Sequence, residues 1–358
     1  MKKALVILIL LAFVGGGLFA QTVNIQGQFE TGIGVLVLEA EDDPTFGLHA
    51  PTSAANGVRT QLLFTYTNAE GNAGFLARFR GHPAPTWNRA YGWAKFMDGM
   101  VEARGGLWFT DLGTYDFSGD EYAKTGVMAL IRPSDTITIG VGGYSGSNLP
   151  GAAYDDGGLG IWGGLGMNMP GLMGLRAQLA FEKDNIDALI SANITALDAF
   201  PIIATAEFAR LDDFADEGVL WTHVNVGLNI VEGLNLNLAG SFGMSMEDDS
   251  DPFIAGGAWM TFPMGNMVPG LHAYFVMGGE YSYTGYGLSP RLSTLYHPNM
   301  SFNKDHMYVS VTPNVQFRVN NNCMFDVGAV VNFDMGDDAA AGGDGLSFGA
   351  YAALRVNF

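Results

Sequence analysis

The chain has 358 residues, a formal net charge of −19 at pH 7, 15% charged and 12% aromatic residues, and 50 glycines. So acidic a balance excludes a nucleic-acid binder, whose phosphate contacts need a basic surface. Charged residues fall well below the ~25% of soluble domains, yet beyond the N-terminus no apolar run reaches the ~20 residues of a membrane-spanning helix; a membrane β-barrel satisfies both facts, because every second position dilutes its apolar residues.

Residues 1–20 read MKKALVILILLAFVGGGLFA. Lys2 and Lys3, an apolar run from Ala4 to Val14 and a small-residue stretch ending at Ala20 predict a secretory signal peptide cleaved after Ala20. The alternative is an N-terminal anchor, for which the run is short. Residues 21–358 are then expected to form one outer-membrane barrel. Cys323 is the single cysteine, so an internal disulfide is excluded; in its strand pattern it reads as a small apolar residue.

Alternation at period two dominates the rest. In MYVSVTPNVQFRVN (307–320), Val309, Val311, Val315, Phe317 and Val319 take one face, and Tyr308, Ser310, Thr312, Asn314, Gln316 and Arg318 the other. LNLNLAGSFGMSM (234–246) and MFDVGAVVNFD (324–334) repeat the design. About eighteen such segments begin near residues 24, 57, 73, 88, 100, 125, 136, 158, 172, 186, 200, 218, 234, 252, 271, 306, 323 and 345, with sixteen as the alternative count. Most run roughly 9 to 14 residues, the length a tilted strand needs to cross a bilayer. The fold class is all-β, a transmembrane antiparallel up-and-down barrel.

The connections alternate. Compact turns (NAEGN, DGM, PSDT, MPG, LDAF, VEG, PMGNMVPG and NNN) follow the even strands, rich in the residues that tight turns require. Longer acidic links follow most odd ones, with short exceptions near 82 and 183. Short turns on one side and long loops on the other are the membrane-barrel rhythm; with an even count, both termini lie on the short-turn side.

The chain ends on AYAALRVNF, where Leu354, Val356 and Phe358 alternate on one face. This resembles the carboxy-terminal insertion signal of bacterial outer-membrane β-barrel proteins, a final aromatic with apolar residues at alternate positions before it. The resemblance implies the outer membrane of a diderm bacterium, contact with membrane lipid, insertion by the barrel-assembly machinery through this strand and, for a barrel of this size, a porin-like role, often as a homotrimer. No cofactor and no catalytic residue is expected.

Orientation follows from parity. Arg59, Arg78, Arg80, Arg89, Lys95 and Arg104 share inward phases on four consecutive strands, with Glu102 in phase with Arg104 and Arg132 extending the wall. Each of these charges facing lipid near the midplane would cost ~2–4 kcal/mol, so they are expected to line the interior. Two readings stand: a basic ladder lining a pore, which resembles the constriction zone of general porins, or arginines that solvate the lumen and pair with Glu102 and Glu30. The link carrying Asp111, Asp116, Asp120 and Glu121 is the candidate acidic partner, by resemblance to the third external loop of those porins.

Acidic clusters such as Asp212, Asp213, Asp216 and Glu217, or Glu247, Asp248, Asp249 and Asp251, read either as solvated surface or as divalent-cation ligands; their spacing matches no defined loop. GLGIWG at 158–163 spells a dinucleotide fingerprint but continues as strand, so it reads as a chance match. The six histidines show no metal spacing, and no serine can be assigned to His223 or His272. Phe64, Tyr66, Phe109, Phe181, Phe208, Tyr281 and Tyr283 suit interfacial girdles. Passive diffusion of small hydrophilic solutes is the leading function; a structural or adhesive surface barrel and a transporter of hydrophobic substrates are the alternatives.

Overall fold

The computed structural model describes residues 22–37, 45–48, 58–82, 84–109, 123–145, 159–182, 185–211, 215–229, 231–247, 250–278, 307–335 and 345–358. The signal-peptide expectation (1–20), the acidic residues of the 110–122 link, Asp212, Asp213, Asp248, Asp249, Tyr281 and Tyr283 lie outside them.

The described chain is almost wholly strand. In order these are β1 (Thr22–Val37), β2 (Thr45–Leu48), β3 (Val58–Thr67), β4 (Ala73–His82), β5 (Ala84–Phe96), β6 (Val101–Phe109), β7 (Ala123–Ser134), β8 (Ile137–Ser145), β9 (Leu159–Met169) and β10 (Met173–Glu182). There follow β11 (Asn185–Ile194), β12 (Ile202–Leu211), β13 (Ala215–Leu228), β14 (Asn235–Ser245), β15 (Phe253–Thr261), β16 (Met267–Met277), β17 (Met307–Asn320), β18 (Cys323–Met335) and β19 (Gly345–Asn357). From β3 onward each strand pairs antiparallel with the next. β1 closes the ring, pairing with β3 over Thr22–Thr31 and with β19 from Gln28↔Asn357 to Val37↔Phe348. The result is a closed barrel of eighteen strands, with no free edge to template association. β2 is additional to the expected set: it lies in the first long link and pairs with Ile33–Leu36 of β1, beyond the point where β3 begins.

At the seam the terminal residue bonds to the start of the chain. The Gly27 amide donates to the Phe358 carbonyl at 2.5 Å, and the Phe358 amide to the Gly27 carbonyl at 2.8 Å. A Cβ on Gly27 would collide with the Phe358 ring.

The compact turns form as their residues dictate. In NAEGN, Asn68 Oδ1 accepts from the amides of Asn72 (3.0 Å) and Ala73 (3.1 Å), and Gly71 takes φ +71°, the left-handed region glycine tolerates. The turn after β15 is tighter than its sequence promised. PMGNMVPG reads as one long connection, but the chain reverses between Met264 and Met267 and Val268–Gly270 already belong to β16. The Pro269 carbonyl still accepts from the Phe262 amide at 2.9 Å, so proline at the ladder's end sacrifices only a donor.

The two faces of the wall differ in kind. Phe75, Phe96, Phe181, Phe242, Phe333 and Phe348 are all exposed on the outer face. Tyr66 stacks on Phe75 there, with centroids 5.6 Å apart. Five of the six tryptophans, Trp93, Trp108, Trp162, Trp221 and Trp259, occupy inward phases; the side chain of the sixth, Trp87, is not among those described. The tryptophans are thus drawn to the interior, while most of the exposed phenylalanines lie outside, with Phe253 an inward exception. Inward rings lie against glycines of strands one or two away: a Cβ on Gly243 would sit 2.8 Å from Trp221 Cδ1, and one on Gly142 3.1 Å from Trp108 Cζ2.

Candidate functional site

The inner surface of β4–β7 carries the charge. Arg78 on β4 is in register with Arg89 on β5. Farther along β5, Trp93 faces Arg104 and Lys95 faces Glu102 across the β5–β6 ladder. Glu102 and Arg104 are alternate residues of β6, both buried. Arg104 Nε donates to Glu102 Oε1 at 2.6 Å, and Arg132 Nη1, from β7, to Glu102 Oε2 at 3.2 Å. One carboxylate therefore ties two strands' guanidiniums together. The remaining faces of the cations rest on aromatic rings: the Arg104 guanidinium carbon is 5.0 Å from the Tyr91 centroid, and Lys95 Nζ is 5.1 Å from that of Trp93. Arg59 is in register with Glu30, and Arg80 with Gln61; the side chains of Glu30, Arg59 and Arg80 are not among those described. The described wall thus holds five basic groups (Arg78, Arg89, Lys95, Arg104 and Arg132) against the one carboxylate of Glu102.

Next to this wall, Trp108, Met128, Leu130, Tyr144, Trp162 and Ala180 form a buried inner cluster, with Trp108 and Trp162 5.6 Å apart at 55°. Around the ring from it, β10–β14 present a different surface. Arg176, Ser191, Thr205, His223 and Ser241 are successive register partners across five strands. All five are buried. His223 Nδ1 lies 2.7 Å from Ser241 Oγ. Gln178 and Asn225 flank this row on the same face. On β17–β19 a third patch centres on Asp326, 1% exposed, which accepts from Asn314 Nδ2 (3.2 Å), Gln316 Nε2 (3.4 Å) and the Tyr351 hydroxyl (3.4 Å). Beside it Ser310 Oγ donates to Asn332 Oδ1 at 2.7 Å.

Parity in the sequence assigns Arg78, Arg89, Lys95, Glu102, Arg104 and Arg132 to one wall, and the structure joins Arg104 and Arg132 to Glu102. Arg176 was missed, although its phase with Gln178 in LRAQLAF carries the same signal. The His223–Ser241 pair spans 18 residues and depends on the β13–β14 register, which periodicity alone does not supply. Glu102 pairs with Arg104 and Arg132, so the expected acid–base pairing exists on the wall itself. Among the described residues, the inward faces of β13 and β14, half the ring away from β5, carry hydroxyl, amide and imidazole groups and no carboxylate. Also among the described residues, no group of three His, Cys, Asp or Glu is placed to hold a metal ion. GLGIWG runs into β9 as strand, so the phosphate-binding helix N-terminus such a motif requires is missing.

No protein-family model matches the sequence, and no curated protein matches it. Solved structures do share the fold. OccD3 (OpdP) of Pseudomonas aeruginosa superposes with a TM-score of 0.58 at 9% identity, over 96% of this chain and 92% of that one. The outer membrane protein OprD of Pseudomonas aeruginosa gives 0.56 at 8% identity, over 94% and 93%. A loop-deletion form of OmpT, an outer membrane protein of Vibrio cholerae, gives 0.51 at 12% identity, over 95% and 100%. The chain spans nearly the whole length of each, so the likeness is of the complete barrel.

Proposed function

We propose that this chain is a porin-like channel of the outer membrane, exported through its N-terminal signal, which passes small hydrophilic solutes by passive diffusion with no chemical step. The observation that carries this reading is the segregation of the eighteen-stranded wall. The exposed phenylalanine, leucine, isoleucine and valine side chains of the strands lie mostly on one face, whereas Arg78, Arg89, Arg104, Arg132, Glu102, His223, Asn225 and Asp326 lie on the other, beside a few buried apolar residues such as Leu130, Val219 and Phe253. Barrels of 16 to 18 strands are wide enough to leave an aqueous channel when no plug fills them. The likeness to outer-membrane proteins of similar length agrees with the location. Assembly as a trimer belongs to the same reading.

The basic wall is the proposed selectivity element. Five cations against one carboxylate leave it strongly positive, and a low-dielectric rim concentrates that field on passing ions.

Planar-bilayer recording on the refolded barrel tests the reading. A steady open conductance is expected; a correctly folded barrel that never conducts would overturn it. The double reversal Arg78→Glu/Arg89→Glu is then expected to lower anion-over-cation permeability severalfold, read as a shifted reversal potential in a KCl gradient. An unmoved reversal potential would remove the basic wall from the proposal while leaving the channel.

A further inference from the structure

The inner face of β10–β13 contains polar groups that the protein itself does not satisfy. Gln178 has no hydrogen-bond partner at either its Oε1 or its Nε2. Ser191 Oγ, Thr205 Oγ1 and Asn225 Nδ2 are likewise unpartnered. These side chains are only 4%, 1%, 4% and 4% exposed. They border one register row: Ser191 and Thr205 are direct partners within it, Gln178 is one inward step from Arg176 on one side of the row, and Asn225 is one inward step from His223 on the other. Buried polar groups in folded proteins are nearly always paired, and each exception calls for an explanation. Unpartnered buried polar atoms occur elsewhere on the inner face too, at Trp108, Trp162 and Thr312, but on β10–β13 four such side chains fall on neighbouring strands.

General wetting of a pore does not account for them. Inward polar side chains that meet bulk water are open, as Asn235, Arg318 and Asn320 are near the strand ends. The β10–β13 groups are enclosed instead. Their chemistry is mainly neutral. Amide, hydroxyl and imidazole groups offer donors and acceptors side by side, and the charged inward side chains described on these strands are Arg176 and Asp187. Such a surface complements groups that donate and accept at once, which is the property of a hydroxyl.

From this we infer that the Gln178–Ser191–Thr205–Asn225 patch is a binding subsite for an uncharged polyhydroxylated solute, a sugar or sugar alcohol, moving through the lumen. The inference rests on the channel reading for its setting, but its test does not. The folded barrel in detergent is titrated calorimetrically with glucose, sorbitol and gluconate, and the same solutes are added to barrels conducting in planar bilayers. Glucose and sorbitol are expected to bind and to reduce the ion current in the same concentration range. Ser191→Ala and Thr205→Val are each expected to weaken both effects by ~3–10-fold, and Gln178→Leu at least as much. Heat-modifiable migration on gels confirms that each variant is folded.

If neither glucose nor sorbitol gives heat with the folded wild-type barrel, the inference is overturned, whether or not the barrel conducts. It is equally overturned if gluconate alone binds and Arg176→Leu abolishes that binding, since the patch is then an anion site. Binding that survives in all three patch variants places the sugar elsewhere and also overturns it. A barrel that binds glucose but never conducts would sink the channel reading and leave the subsite standing.

Discussion

The wall of β4–β7 and the wall of β10–β14 face each other across the same lumen and solve opposite problems. The first buries charge and satisfies it internally: Glu102 holds Arg104 at 2.6 Å and Arg132 at 3.2 Å, and two cations rest on aromatic rings. The second buries mainly neutral polar groups beside Arg176 and leaves Gln178, Ser191, Thr205 and Asn225 without partners. Burying a charge is tolerable only with a partner in place, whereas an unpartnered hydroxyl or amide costs far less. Neutral groups are therefore the ones a fold leaves unpartnered at modest cost. The charged wall is consequently a structural element as well as an electrostatic one, while the unpartnered groups of the other wall are available to something other than the protein.

Removing Glu102 should break this contrast most sharply. In Glu102→Ala two inward guanidiniums lose their common counter-charge. Loss of one member of a buried pair costs ~3–5 kcal/mol. Arg132 is a third exposed and is screened by water, so most of the loss comes from Arg104, and the lower end of that range is expected. Urea titration of the folded barrel, followed by tryptophan fluorescence, measures it. A loss below about 1 kcal/mol, the value of an ordinary exposed pair, would mean that the charged wall is not internally supported.

The next effect tests how the inner aromatics are seated. A methyl on Gly243 would lie 2.8 Å from Trp221 Cδ1 and 3.1 Å from its Nε1. Gly243→Ala must push the indole off the wall, an overpacking cost of ~1–3 kcal/mol. Near-ultraviolet circular dichroism should change with it. An unaltered indole signal with unaltered stability would show that the ring is not pressed against β14.

Much of this architecture could be read from the sequence, for a reason that also marks the limit. Period-two alternation is local, and each of the eighteen barrel strands begins close to where alternation placed it. β2 escaped because four residues are too few to show a period and its partner lies on β1. The early start of β16 escaped because Pro269 and Gly270 look like turn residues, although a tight Met264–Met267 reversal had already turned the chain. Parity likewise assigns the arginines to one face, the one hydrocarbon would not reject. What parity lacks is register. That Glu102 meets Arg132, 30 residues away, or His223 meets Ser241, follows only from how adjacent strands slide into place. The unsatisfied band on β10–β13 is a register property too: Gln178, Ser191, Thr205 and Asn225 are unremarkable in four separate segments and become a patch only when those segments align.

The smallest expected effect is the most discriminating. Ser191 is 1% exposed and its hydroxyl has no partner. Replacing it by alanine removes a desolvated group that gains nothing from the fold, and the deleted oxygen leaves little void. By the asymmetry of hydrogen-bond energetics, losing an unmade bond is neutral or mildly stabilising, so Ser191→Ala should move the urea midpoint by no more than about 0.5 kcal/mol equivalent. A buried serine with a concealed structural role would instead cost ~1–3 kcal/mol. Stability near wild type together with weakened sugar binding would separate the two walls cleanly: one kept for the fold, the other for what passes along it.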